Sequence, residues 1–460
     1  MSMLTVHRAY DRSVIAEVRA DDYRALDRKI DLASETFRQR QGWLKPHQRA
    51  TILRKAADLL EAQADDFAAL IALEGGKPLM DARVEAVRAV DGLRNAADEI
   101  RTFAGQEIPM GLTPSSEGRL AFTTKEPIGV VAAISAFNHP LNLIVHQVAP
   151  AIAVGCPVIV KPAAVTPLSC LRLVDLLREA GLEECWCQTC ITSDNGLAEK
   201  LATDPRIAFL SFIGSAAVGW GLRSKLPPGT RCALEHGGAA PVIVHRSADL
   251  SAVVTPVAKG AFYHAGQVCV STQRVFLDQE ISGDFIRRLS ATIDDLRVGD
   301  PSSADTEVGP LILPREVVRV EQWVEEAVEA GTERIGGGRL SDTTLRPSIL
   351  VNPGPSLKVS QLEIFGPVVC VYEFSSIEAA IRQANDVRWS FQASVFSKDI
   401  DIALLASERL DASAIMINDH TAFRTDWMPF AGRKESGYGV GGIPFTMRDM
   451  SHEKLVVFKR

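Results

Sequence analysis

The chain has 460 residues, 46% of them hydrophobic and 23% charged, which is more than one hydrophobic core usually organises and too apolar for a disordered polymer. Fifty Lys and Arg against 57 Asp and Glu leave a net charge of −7, so a nucleic acid is offered no basic field and is not an expected partner. The first residues, MSMLTVHRAYDRSV, carry charges every few positions and no apolar leader, which points to a cytoplasmic protein.

In chain order, helical spacing of apolar residues predicts a helix over 25–37, a second over 52–73 closed by Glu74-Gly75-Gly76-Lys77-Pro78, and a third over 81–104. From Ile128 the pattern changes to a strand, IGVVAAIS, then AFNHP, a helical LNLIVHQVAPAIAVG and a second strand, PVIVK, ending at Lys161. Strand, crossover and strand in that order are the signature of a parallel α/β sheet. The run from 128 to 160 is interrupted by Asn138, His139, Asn142, His146, Gln147 and prolines, so no membrane span is expected. Thr166-Pro167 predicts the start of a helix through Glu179 with Thr166 as its N-cap, and a third strand over 208–213 leads into Gly214-Ser215. No repeat or flexible linker is visible, so the domains are expected to interleave.

Three features could carry chemistry. The loop from Phe212 to Gly219 places small residues where a strand becomes a helix, which suits a pyrophosphate but equally suits a packing turn, and the G-x-G-x-x-G fingerprint is absent. Cys269 stands at a loop edge before a strand over 273–277, where a thiol can be activated or simply buried. Glu235, beside two glycines in an apolar stretch, is a carboxylate that could serve such a thiol as base.

Taken together, eight motifs in one order resemble the aldehyde dehydrogenase superfamily over nearly the whole chain: EPIGVV from Glu126, F-N-x-P from Phe137, VKPA from Val160, FIGS from Phe212, LEHGG from Leu234, GQVC from Gly266, EIFGPV from Glu363 and PFAGRKESGYG from Pro429. Cys269 follows Glu235 by 34 positions, the spacing of that family. The resemblance implies Cys269 as nucleophile, Glu235 as the base that activates the hydrolytic water, and Asn138 with the Cys269 N–H as holders of the oxyanion. It also implies NAD or NADP as cofactor, NAD slightly favoured, lined by Ser135, Ala136, Phe137, Lys161, Ala163, Ala164, Gly214, Ser215, Glu363 and Phe365. Where the family often has Ser and Glu after its lysine and proline, this chain has Ala163-Ala164, so the carboxylate that repels a 2′-phosphate is missing.

Arg88, His139, His146 and Arg424 fall where typical members place large apolar or aromatic residues, and a tunnel lined by guanidinium and imidazole suits an anionic tail. The branch resembles phosphonoacetaldehyde, lactaldehyde and semialdehyde dehydrogenases, although Val268 before the nucleophile removes an arginine contact seen in phosphonoacetaldehyde oxidisers. A cysteine acyl-transferase or esterase without hydride transfer, or a non-catalytic scaffold, are the competing readings. The expected fold is α/β, with a Rossmann-like cofactor domain (1–106 and 126–236), an α/β catalytic domain (237–442) and a small oligomerisation sheet (107–125 and 443–460) that would make a homodimer or homotetramer. No metal is expected; Cys185, Cys187 and Cys190 have suggestive spacing without an obvious further ligand.

Overall fold

The computed structural model describes residues 2–459. Asp22 caps the first long helix, Tyr23–Arg38, by accepting from the Ala25 N–H at 2.7 Å, and Leu26, Ile30 and Ala33 form its buried stripe. The single helix expected over 52–73 is instead two, Pro46–Ala62 and Ala64–Gly75, broken at Gln63, where φ is −116° and ψ 17°. One hinge residue leaves the apolar spacing almost intact, from Leu53, Ala56 and Leu60 to Phe67 and Ile71, so periodicity could not report it. The third helix is Leu79–Glu99, five residues shorter at its end than expected.

The helices Pro46–Ala62, Ala64–Gly75, Leu79–Glu99 and Asn142–Val154 cover one face of a six-stranded sheet, and Tyr23–Arg38 with Asn195–Thr203 cover the other. The strand order is Gly437–Tyr438, Arg231–Glu235, Ile207–Ile213, Val130–Ile134, Val158–Lys161, Cys187–Thr189; all pairings are parallel except that of the short Gly437–Tyr438 edge. From Val130–Ile134 the chain builds outward to one side, then crosses back to the other. That makes the gap between Val130–Ile134 and Ile207–Ile213 a topological switch point, open beyond their carboxyl ends. Ser135 to Asn138 and Gly214-Ser215 lie at those ends.

A second, seven-stranded sheet has Ala240–Val244 and Thr272–Asp278 at its centre and its own apolar core. A three-stranded sheet pairs Ser451–Lys459 with Arg119–Pro127 over nine residue pairs, and Glu107–Ile108 adds to the far edge. The helix just before that last strand, Ile443–Asp449, packs with Ile443, Met447 and Met450 into the first core, so only the final strand of the expected 443–460 segment stands apart in the small sheet. Among the described residues, no helix is long and apolar enough to cross a membrane.

The N-cap expected of Thr166 comes from elsewhere. Helix Leu168–Glu179 begins after Pro167, and the Thr166 hydroxyl is buried without a partner. Glu74, fully buried at the end of Ala64–Gly75, accepts from the Leu168 and Ser169 N–H groups at 2.8 Å each and from the Ser169 hydroxyl. Ser, Thr, Asp and Asn are the usual cap types because they reach their own helix; a glutamate 94 positions upstream does so only through tertiary contact. Replacing Glu74 by Ala leaves two buried amides unpaired, and the unfolding free energy measured by urea titration is expected to fall by about 2–4 kcal/mol. An unchanged urea midpoint would show that water or Thr166 takes over the cap.

Candidate active site

A cleft of about 870 Å³ runs between the two large sheets from Ala163 and Glu199 at one end to Arg88 and Arg424 at the other. Val268, Cys269 and Val270 line it, and the turn just before them sets their position. Helix Leu250–Phe262 ends, and His264, Ala265 and Gly266 follow with φ of 47°, 53° and 72°. Left-handed backbone at three successive positions is costly outside glycine, and a side chain at Gly266 would collide with the Gly366 carbonyl. The turn is therefore held from outside. Gln267 does most of this: its Nε2 donates to the His264 and Pro310 carbonyls at 3.2 and 3.1 Å, and its Oε1 accepts from the Ile312 N–H at 2.9 Å. In the sequence, the only signal for Gln267 is its place in GQVC.

Asn138 enters from the other sheet, its Nδ2 donating to the Gln267 carbonyl at 2.9 Å. One of its two N–H groups is thereby used and one is left for a ligand. Glu235 ends strand Arg231–Glu235, and its carboxylate lies over Gly441, where any side chain would strike it. Burial raises the Glu235 pKa, opposed by the positive charge of Arg424. Burial likewise pushes the Cys269 thiol up to about 12, with Arg424 acting downward and Glu235 and Glu363 upward. A thiol, a carboxylate and a guanidinium thus face one space.

The four residues expected to line an anionic tunnel separate into different roles. Arg88 reaches the cleft, but its guanidinium is held by Asp426 through Nη2 at 2.7 Å and Nε at 3.3 Å. His146 is not part of the lining; it lies behind it, 4% exposed, with Nε2 2.7 Å from Asp426 and Nδ1 3.3 Å from Arg424 Nη2. Burial and the Arg424 charge push its pKa down to about 4, against the pull of Asp426, so it donates to Asp426 as a neutral ring. His139 lines the cleft, and burial with the charges of Lys77 and Arg88 holds its pKa well below the usual histidine range. Packing against guanidinium groups in a dry wall keeps both imidazoles neutral, so neither brings a positive charge to an anionic tail. Arg424 alone of the four remains cationic and without a carboxylate partner among the described residues. Its Nε is buried and unpaired, and its guanidinium lies 3.5 Å from the centroid of the Phe430 ring. Asp426, which organises this wall by also accepting from Asn142 Nδ2 at 3.1 Å, was not singled out from the sequence.

At the other end, Ser135, Ala136, Phe137, Lys161, Ala163, Ala164, Gly214, Ser215, Glu363 and Phe365 all line the same cleft, as does Val268 near Cys269. The Ser135 hydroxyl is buried without a partner, and Lys161 has only the Pro162 carbonyl, at 3.1 Å. Glu363 accepts from the Gly238 N–H at 3.1 Å, and burial pushes its pKa up to about 8. Phe137 and Phe365 meet edge to face at 5.9 Å. Helix Ala216–Arg223 starts immediately after Ser215, so its first amides open toward the cleft. Cys185, Cys187 and Cys190 stand apart from this cleft, and among the described residues no group of three or more His, Cys, Asp or Glu converges as a metal site.

The family model described as the aldehyde dehydrogenase family matches residues 2–456. The chain belongs to the aldehyde dehydrogenase family. A 3-sulfolactaldehyde dehydrogenase of Priestia aryabhattai is 36% identical over 459 residues, 99% of this chain and 94% of that protein. A lactaldehyde dehydrogenase of Methanococcus vannielii is 33% identical over 460 residues, 99% of this chain and 97% of its own length. Among solved structures, aldehyde dehydrogenase 21 of Physcomitrella patens in complex with the reaction product succinate superposes with a TM-score of 0.96 at 31% identity, covering 100% of this chain and 95% of that one. The NADP complex of a glyceraldehyde-3-phosphate dehydrogenase from Methanocaldococcus jannaschii gives 0.95 at 31% identity, with 99% of both chains covered. The expected α/β aldehyde dehydrogenase fold is thereby established, and the chain is an enzyme of that class.

The coupling of Arg424 to Cys269 is open to direct test. Because the thiol stands far above neutral pH, alkylation of Cys269 by iodoacetamide in the ligand-free enzyme should accelerate throughout the neutral and alkaline range. Arg424→Met should slow it by about 3- to 30-fold at pH 8, equivalent to about 0.7–2 kcal/mol of lost thiolate stabilisation. Peptide mass spectrometry separates Cys269 from the half-buried Cys185; an unchanged rate would mean that the guanidinium does not act on the thiol.

Proposed function

We propose that the enzyme oxidises a short aldehyde bearing an anionic tail (phosphonate, sulfonate or carboxylate) to the carboxylate, with NAD or NADP. The observation that carries the tail is Arg424, a half-buried guanidinium with its Nε shielded from water, which lines the cleft and makes no salt bridge among the described residues. A charge kept in that state is costly unless an anion completes it. The sulfonate in the name of the Priestia relative and the succinate held by the Physcomitrella enzyme support the same reading.

Cys269 attacks the carbonyl carbon as thiolate, and the free Asn138 N–H and the Cys269 N–H receive the charge that develops on oxygen. NAD or NADP, which Ser135, Lys161, Glu363 and the amides after Ser215 would hold, would supply the acceptor for the hydride lost from the carbon that Cys269 has attacked. Glu235 takes a proton from water, the hydroxide adds to the thioester carbon, and the C–S bond breaks to return the thiol and release the carboxylate. The raised pKa of Glu235 makes it a stronger base than an exposed carboxylate. The residues present fit a dinucleotide: an orphaned Ser135 hydroxyl, a Lys161 ammonium with one weak partner, and the amides after Ser215 await polar groups. The cleft that Ala163 and Ala164 line is also lined by Glu199, paired to Lys225 at 2.7 Å. The pair returns a carboxylate beside a compensating ammonium, which supports acceptance of both cofactors with NAD favoured.

Assembly belongs to the same reading. Leu455, Val457 and Phe458 are exposed on strand Ser451–Lys459, at 55, 47 and 54% of their free surface, and an apolar sheet of three strands calls for a cover. We propose a homodimer or homotetramer closed over this sheet, and light scattering at micromolar concentration is expected to give at least twice the monomer mass. A monodisperse monomer would reject it.

Cys269→Ala should lose turnover while still binding cofactor, and Glu235→Gln should release one equivalent of reduced nicotinamide in a burst and then slow severely. Unchanged steady-state rates in either variant would remove that residue from the mechanism. Arg424→Ala should lower kcat/KM for succinic semialdehyde or phosphonoacetaldehyde by about 10- to 100-fold and affect propanal far less, at about 1.4 kcal/mol per decade. Arg88→Ala, whose charge is already spent on Asp426, should affect charged and neutral aldehydes alike. Equal losses on both substrates in Arg424→Ala would overturn the anionic tail.

A further inference from the structure

One polar pair in the substrate half of the cleft is used by neither the chemistry nor the tail. His139 follows Asn138 directly, and its Nε2 lies 3.3 Å from the Tyr263 hydroxyl; both side chains line the cleft beside Val268, Cys269 and Arg424. Tyr263 is clamped, with the Lys77 ammonium 5.8 Å and the Lys259 ammonium 5.0 Å from its ring centroid. Lys77 is in turn paired to Glu85 in the core and Lys259 to Asp81 at 2.6 Å. A flexible surface tyrosine would not be held from two sides in this way.

The chemistry that the pair can present is narrow. Both groups are neutral: burial and the neighbouring Lys77 and Arg88 charges keep His139 unprotonated, and burial keeps Tyr263 a phenol. If the Tyr263 O–H donates to Nε2, the imidazole proton sits on Nδ1 and the phenol oxygen has lone pairs to spare. If Nε2–H donates to the phenol oxygen, the phenol proton is free and Nδ1 accepts. In either arrangement the wall offers one donor and one acceptor. An anionic group answers only the donor, a methylene or methyl answers neither, and a hydroxyl answers both. The position is equally specific. His139 follows Asn138, whose Nδ2 reaches the loop that carries Cys269, and His139, Tyr263 and Cys269 line one cleft.

We propose that His139 and Tyr263 bind a hydroxyl on the carbon next to the aldehyde, making the preferred substrate a 2-hydroxyaldehyde of fixed handedness. This refines the proposed oxidation of an anionic aldehyde and rests on it for the reaction, but not for the tail. A hydroxyl also alters the intrinsic reactivity of an aldehyde, so the comparison that isolates the wall is between enantiomers, which are chemically equal until bound to the protein. A site that pairs with a hydroxyl discriminates against a substrate that cannot present it, because its own polar groups are left unmet.

The test measures kcat/KM of the intact enzyme for the two enantiomers of lactaldehyde, for propanal and 2-methylpropanal, and for 3-sulfolactaldehyde against 3-sulfopropanal, by absorbance of reduced nicotinamide. One lactaldehyde enantiomer is expected to exceed the other by about tenfold or more, and Tyr263→Phe and His139→Ala to bring that ratio to within about threefold of unity. Arg424→Ala should leave the enantiomer ratio in place while erasing the advantage of the sulfonated aldehydes, so failure of the tail and failure of the hydroxyl wall are read from different ratios. Equal rates for the enantiomers in the wild-type enzyme would overturn the proposal even if neither variant folds. A ratio that survives in both variants would overturn it as well, and would leave the pair as packing.

Discussion

Glu85 is the buried carboxylate on which the geometry of the cleft depends. It is 1% exposed on helix Leu79–Glu99, takes the N–H groups of Leu141 and Asn142 at 2.9 and 3.1 Å, and holds the fully buried Lys77. Those amides open helix Asn142–Val154, so the charge is answered by a helix terminus as well as by an ammonium. The turn that carries Asn138 and His139 immediately precedes them. Fixing Leu141 and Asn142 therefore fixes how Asn138 meets Gln267 and where His139 meets Tyr263. Removing either half of such a buried pair costs far more than its net contribution, since the other half is left charged in a dry core.

The same logic distributes charge along the substrate wall. Arg88, Asn142 and His146 converge on Asp426, and the hydrogen bonds from His146 and Arg88 hold its carboxyl below the usual range despite burial. One carboxylate neutralises one guanidinium and orients the imidazole, which burial and the Arg424 charge keep neutral against its pull. The second guanidinium, Arg424, receives a neutral nitrogen and an aromatic face in place of a counter-charge. An unbalanced cation beside a thiol and a carboxylate is a preorganised field, able to favour a thiolate, steady Glu235, or receive the substrate's own charge.

Backbone strain is concentrated in the same place. Three successive left-handed residues before Gln267 turn the chain so that Cys269 faces the cleft from the side of the seven-stranded sheet while Asn138 and Glu235 face it from the side of the six-stranded one. Gln267 ties the turn to Pro310 and Ile312, and Asn138 ties it across to the first sheet. The proposed catalytic constellation is therefore assembled across two separately built cores, and its precision depends on a few polar contacts between them.

The linear order of residues settled the family and the fold class, and the residues proposed for the cofactor share one cleft, because short motifs such as GQVC and EIFGPV place particular side chains at strand ends whatever the rest of the core does. Periodicity located the helices of the first hundred residues but not the hinge at Gln63, since one irregular residue barely disturbs an apolar stripe. What only tertiary structure decided was charge and partnership. Arg88 and Arg424 are the same residue type, yet one is spent on Asp426 and the other is left open, and His146 passed behind the wall while His139 stayed in it. Glu74 caps a helix that begins 94 positions later, and Glu85 organises a turn more than fifty positions away. Pairing energies depend on distance and burial, and neither is encoded locally: a carboxylate far along the chain decides whether a given arginine is a structural strut or a binding group.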